Sequence, residues 1–285
     1  MRALLLASLA LGCSAPTTLA NVSYDDRFGE ATSLDLFLPV GDPGPKPLVV
    51  FLHGGLFQRG DKADDRAAAA RLASSGFVAA TVNYRLGAGA PFPAAVHDVA
   101  CALAFLRRGS AEYGIDPDRV AVVGYASGAY LAAMLGVAAG APDLAPDCDA
   151  GVTGPPAAVV AGSGFYDLTT LAERKEVQAF VGGEMEALPE RYAAASPLLR
   201  VGPGAPPFLL THGEFDFVLP PEQSHRMEEA LASWGNEVRL LSLFDPGHFL
   251  AAGADNGGLY GGGVRDRPES WIVLIDFLEQ TLGLP

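Results

Sequence analysis

The chain has 285 residues, 49% of them hydrophobic and 18% charged, and a formal net charge of −14. So apolar a chain can bury a large core, which excludes global disorder, and its length fits one large α/β domain or two small ones. The acidic balance argues against nucleic acid, whose phosphates need a basic surface, and gives no sign of an anionic membrane partner.

The chain opens with Arg2 and the short apolar run ALLLASLALG, too short to span a bilayer. This is expected to be an export signal over residues 1–20, cut after Ala20. The alternative is a lipoprotein signal ending before Cys13, although Ala10 is a poor start for such a motif, and only then would a membrane be a partner. A single domain is expected from residue 21 to residue 285, secreted or periplasmic and in an oxidising compartment.

Two periods then alternate. VSYDDRFG (22–29) and TSLDLFLP (32–39) look like an antiparallel hairpin. PLVVFLHGG (47–55) is a continuous apolar run ending in glycines, as a buried parallel strand does. Residues 61–76 read as a helix with acids in the first turn and Gly76 at its end. FVAATVNYR (77–85) is a strand, 92–114 an amphipathic helix, RVAVVG (119–124) a strand and 127–140 a helix. AAVVAGSG (157–164) and PPFLLTHG (206–213) are strands, 221–235 a helix, EVRLLSLF (237–244) a strand and 267–283 a closing helix. Strands alternating with helices predict a mostly parallel central sheet with helices on both faces. Two stretches break the pattern: a helical insertion at about 165–200 and a glycine-rich loop over 251–268.

Open parallel sheets place ligands at the carboxyl ends of their strands, so candidate residues are sought there. The strand 119–124 runs into Gly124-Tyr125-Ala126-Ser127-Gly128, a sharp strand-to-helix turn. The glycines at either side give room for a strained central residue. The strand 47–55 ends in His53-Gly54-Gly55-Leu56, whose glycines free backbone N–H groups to face a developing oxyanion, with the N–H of Ser127 as a second donor. Asp216 follows the strand 206–213, and His248 follows the strand 237–244 in DPGHF. Histidine as general base and aspartate as its orienting partner are the roles these two would fill. His53 is expected to serve the glycine turn, and His212 to hold the turn that presents Asp216. His97 and His225 read as structural, and Asp167 lies one strand too early to be the acid.

Cys101 and Cys148 remain once the leader is set aside. In an exported protein one pair suggests a disulfide, the alternative being two buried thiols. Neither has a metal partner at ligand spacing, and no dinucleotide or phosphate-loop motif occurs, so neither metal nor cofactor is expected. Leu56, Phe57, Tyr125, Phe165, Phe217 and Phe249 are candidates to line a substrate pocket, with Tyr84, Phe92 and Tyr166 close by. An apolar wall of this kind suits an aryl or acyl ester, the alternative being core packing.

The stretches HGGLFQRGDK, VNYRL…PFPAAVHDV, YGIDPDRVAVVG, SGAYLAAM, SPLL, PPFLLTHGEFDFVLP and DPGHF resemble the α/β-hydrolase esterases related to bacterial feruloyl and acetylxylan esterases, hormone-sensitive-lipase-like enzymes and kynurenine formamidases. They run from about Phe37 to Leu282. The resemblance implies an α/β-hydrolase fold and a Ser-Asp-His triad acting on small ester substrates with water, with position 126 as nucleophile. Only that residue departs: Ala126 stands where the family has serine, and Ser127 fits the small residue that follows it. A shift of catalysis to Ser127 would displace the reactive oxygen by several ångströms, and about 1 Å can already cost 10²-fold. Two histories fit, a Ser→Ala variant that binds without turnover and a natural non-catalytic relative; the retained His53, Gly54, Gly55, Asp216 and His248 favour the first. Formamide cleavage is permitted by the resemblance and disfavoured by export.

Overall fold

In the computed structural model, residues 15–41, 44–146, 148–151, 153–244 and 268–284 are described. Cys13, His248, Phe249 and the glycine-rich stretch 251–267 lie outside the described residues.

An eight-stranded sheet organises the chain in the order β1-β2-β4-β3-β5-β6-β7-β8. Its strands are β1 (Thr17–Ser23), β2 (Ser33–Leu38), β3 (Lys46–Leu52), β4 (Val78–Val82), β5 (Ile115–Tyr125), β6 (Ala158–Gly162), β7 (Phe208–Gly213) and β8 (Val238–Leu243). β2 is antiparallel to both β1 and β4, and every other pair is parallel. The period of two in the strands divides the core. Val49, Phe51, Val123 and Val160 face one way and pack with Leu72, Phe77 and Leu278, whereas Val50, Leu52, Val122 and Val159 face the other. Helices α1 (Arg66–Ser74) and α8 (Pro268–Leu282) supply the first layer. Helices α2 (Ala94–Arg108), α4 (Ser127–Ala138) and α7 (Glu222–Ser233) supply the second, and a single turn, α3 (Ser110–Tyr113), links α2 to β5. This is the α/β-hydrolase fold.

The expected antiparallel pair is present as β1 and β2, with its first strand lying earlier in the chain than expected. β1 begins five residues before Val22, and residues Asp26–Thr32 form 3-10 turns rather than strand. The Asp25 carboxylate accepts the Arg27 N–H, which favours a turn, and Gly29 at φ 58° ends any extended run. Ala20 therefore lies inside a strand whose residues Thr17 to Leu19 pair with Leu38 to Leu36. Asn21, at the bulge, donates its N–H to Asp35 Oδ1 at 2.9 Å. The buried Asp35 carboxylate also receives Arg66 Nε at 2.6 Å and lies 3.7 Å from Lys62 Nζ.

At the opposite ends of the strands, Arg119 of β5 gathers the Pro45 carbonyl at 3.1 Å and those of Leu282 and Leu284 at 3.4 Å. This fastens the close of α8 to the amino end of the sheet. A disulfide joins Cys101 in α2 to Cys148 in the loop after α4, with Cα atoms 6.1 Å apart. Between β6 and β7 the chain makes its helical excursion, with α5 (Lys175–Val181) and α6 (Pro189–Ala194).

Candidate active site

β5 leaves the sheet at Tyr125 and α4 starts at Ser127, so one residue makes the whole turn. Ala126 does so at φ 51° and ψ −116°, a conformation that costs an L-residue of order 1–3 kcal/mol. It is held by its N–H on the Gly162 carbonyl at 2.9 Å and by Tyr130 N–H on its own carbonyl at 3.1 Å. The flanking glycines are obligatory for a steric reason. A Cβ at Gly124 would stand 2.2 Å from the Gly128 oxygen, and one at Gly128 would stand 2.0 Å from the Leu52 oxygen. Strand, helix and β3 thus touch backbone to backbone.

The β3 end comes to the same place. A Cβ at Gly54 would lie 3.6 Å from Ala126 Cβ, so the glycine turn borders the position-126 side chain directly. Among the described residues neither Gly54 nor Gly55 gives its N–H to a protein acceptor. The first N–H groups of α4, Ser127 among them, have no partner within the helix. Free N–H groups at a helix start favour negative charge beside them. Leu56 and Phe57 follow, both at positive φ, 57° and 62°.

His53 is buried beneath this turn. Its Nδ1–H donates to the Gly54 carbonyl at 2.8 Å and its ring stacks on Tyr84 at 4.3 Å between centroids. Burial pushes the imidazole below its ordinary pKa, partly offset by the Gly54 carbonyl and by Asp64 and Asp61. A group neutral in the fold but free to protonate when unfolded lowers stability as pH falls from the ordinary value near ~6.5 towards its depressed folded value. Replacing His53 with Gln is therefore expected to reduce the acid sensitivity of the unfolding temperature over that window. Identical pH slopes for the two proteins would contradict a neutral buried His53.

Ser127 is 0% exposed, and its buried hydroxyl has no hydrogen-bond partner among the described residues. Ala126 is buried as well, at 8% exposure.

Asp216 sits in a turn beyond β7. Its Oδ1 accepts the N–H groups of Val218 and Leu219, both at 2.8 Å, and its Oδ2 lies 3.2 Å from His212 Nε2. That nitrogen also faces the Leu219 carbonyl at 3.1 Å, so it carries the hydrogen, and Nδ1 lies 2.7 Å from the Ser224 hydroxyl. His212 thus ties Asp216 to α7. The base expected opposite, His248, lies outside the described residues.

The remaining candidates separate. Phe57 and Phe165 close into an aromatic cluster with Tyr130 and Phe180. The Tyr125 ring lies over Gly162, and burial pushes its phenol up to about 12. Phe217 stands 83% exposed beside Asp216. Asp167 is occupied structurally, accepting from Thr169 N–H at 3.1 Å and pairing with Arg226 at 2.7 Å. His97 lies within α2 and His225 on the exposed face of α7. Gln223 and Ser224, which hold Asp167 and His212, escaped sequence reasoning because nothing in PEQSHRMEEA singles them out. Among the described residues no cluster of three or more His, Cys, Asp or Glu could hold a metal.

A family model described as BD-FAE matches residues 34–231, which include the glycine turn, the elbow and Asp216. The chain belongs to the BD-FAE family. This BD-FAE chain is 31% identical to Esterase LipC of Mycobacterium tuberculosis over 245 residues, 83% of the chain and 59% of that protein. It is 28% identical to isoprenylcysteine alpha-carbonyl methylesterase ICME of Arabidopsis thaliana over 237 residues, 78% of the chain and 54% of that protein. The chain thus spans a little over half the length of these curated relatives. Among solved structures, the bifunctional GH43-CE protein of Bacteroides eggerthii is 25% identical at TM-score 0.80, covering 93% of the chain and 38% of that protein. The propionate-bound esterase Est2 of Thermogutta terrifontis superposes at TM-score 0.76 with 23% identity, covering 96% and 97%.

Proposed function

We propose that this BD-FAE chain is a serine ester hydrolase scaffold for short-chain or aromatic carboxylic esters whose nucleophile position is Ala126, so that it binds esters and hardly hydrolyses them. The observation that carries the reading is the elbow: Ala126 occupies a strained turn beside the glycine amides and at the start of α4. With serine there, His248 would take the hydroxyl proton, Asp216 would orient and stabilise the imidazolium, and the amides of Gly54, Gly55 and Ser127 would receive the oxyanion. Tyr125 and Phe217 would border the ester. A natural ligand-binding role is the second reading, favoured by Ala126 itself. Kinetics of the Ala126→Ser protein decide between them, since a site kept only for binding gains no turnover from the added oxygen.

Export forms part of the proposal; the pairing of Thr17 to Leu19 within β1 favours the alternative leader ending before Cys13 over a cut after Ala20. A cut after Ala20 would divide β1. It would also turn the Asn21 amide into an ammonium beside Lys62 and Arg66, three cations around one buried carboxylate. The intact mass of the exported protein checks this: it should retain Thr17 to Ala20, and a chain beginning at Asn21 would refute the assignment.

A further inference from the structure

The oxyanion turn is not self-supporting. Leu56 and Phe57 are consecutive non-glycine residues at positive φ, a conformation disfavoured for side chains of this size. Gly55 O accepts from Gln58 and Arg59 N–H, and Phe57 O accepts from Gly87 N–H at 2.8 Å. A side-chain anchor comes from a distant segment. The Phe57 ring stacks on Phe180 of α5 at 4.0 Å and 17° between planes, with Tyr130 and Phe165 set around it at 5.2 and 5.1 Å. Tyr130 also meets Phe180 at 5.1 Å.

α5 is itself pinned at both ends. At its close, Phe180 O accepts Phe92 N–H at 2.6 Å. At its start, Arg174 bonds Glu176 at 2.6 Å and the Val218 carbonyl at 2.5 Å. Val218 N–H in turn holds Asp216 Oδ1. One short helix and the residue that caps it therefore touch the turn that would receive the oxyanion and the turn that carries the acid.

We propose that α5 is a strut that sets these two turns relative to one another, with Phe180, acting through Phe57, as a positioning residue for the oxyanion amides. The proposal rests on the ester-hydrolase reading for its catalytic consequence but not for its structural one, and two measurements keep them apart. The first uses the chain as it stands. Phe180→Leu retains an apolar filler and loses the stacked ring. Hydrogen exchange of the segment 53–60 should quicken by at least ~10-fold, with β5 residues 120–124 unchanged. The second uses the Ala126→Ser background. Phe180→Leu should lower kcat by ~10-fold or more with KM within about twofold, because misplaced donors weaken the transition state more than the ground state. Phe57→Leu should do the same, and the double variant should be little worse than either single one. Phe277→Leu, in the core on the other face of the sheet, should lower the unfolding temperature and leave kcat unchanged. Unaltered exchange at 53–60 would overturn the strut, whatever the activity. Quickened exchange with kcat unchanged would overturn its role in positioning the oxyanion amides. Inactivity of Ala126→Ser itself would count against the ester-hydrolase reading and leave the exchange result to decide the strut.

Discussion

Serine at position 126 is expected to raise ester hydrolysis by at least ~10³-fold over the chain as it stands. Removing the nucleophile of a well-studied serine protease triad costs on the order of 10⁶ in kcat, the remainder coming from binding and the oxyanion hole. The backbone at position 126 already has the elbow geometry, so the substitution adds one oxygen and asks for no rearrangement. The gain should vanish with His248→Ala, since a hydroxyl without its base is a weak nucleophile at neutral pH. Ser127→Ala should change little, because the Ser127 side chain is buried and the residue would contribute through its N–H. kcat/KM on p-nitrophenyl acetate and on an aryl ester is the measurement. No gain from Ala126→Ser would favour the ligand-binding reading. Strong activity in the unmodified chain, lost on Ser127→Ala, would make Ser127 the nucleophile.

Loss of the disulfide is the largest stability change expected from a simple substitution. Cys101 and Cys148 are separated by 47 positions, and closing a loop of that length is worth on the order of 4 kcal/mol in the chain-entropy model. The Cys101→Ala/Cys148→Ala protein should therefore unfold at a markedly lower denaturant midpoint than the oxidised parent. It should match the reduced parent, apart from a small cavity effect at buried Cys101. Equal midpoints for oxidised parent and double variant would show that the bond contributes nothing.

Much of the fold was legible because it is written in short-range periods. Within PLVVFLHGG, RVAVVG and PPFLLTHG the stretches LVVFL, VAVV and FLL are apolar at every position, as strands buried on both faces are, and they became the cores of β3, β5 and β7. The elbow was legible because only glycine tolerates the backbone contacts at Gly124 and Gly128, so sterics show directly in the residue type. The N-terminal antiparallel pair was legible but its first strand was placed too late, since VSYDDRFG looks extended throughout whereas the Asp25 cap and the Gly29 conformation turn the chain after Ser23. The links across the site were not legible at all. Phe57 meets Phe180, and Arg174 meets the Val218 carbonyl, only once the fold is complete, and neither pair carries a local pattern. Phe57 and Phe165 show the same limit from the other side: the sequence marks them as apolar near the strand ends but cannot distinguish a pocket wall from a closed cluster.

The arginine clasp at the amino end of the sheet has a practical consequence. Arg119 binds the carbonyls of Leu282 and Leu284, while Ala126 lies beyond the other end of the same strand. At about 3.3 Å per residue, the seven steps from Arg119 to Ala126 span roughly 20 Å. A resin, a display scaffold or a fluorescent reporter attached behind Leu284 would thus be tethered at the end of the sheet turned away from Ala126. Immobilised there, the protein presents the elbow outward to whatever flows past.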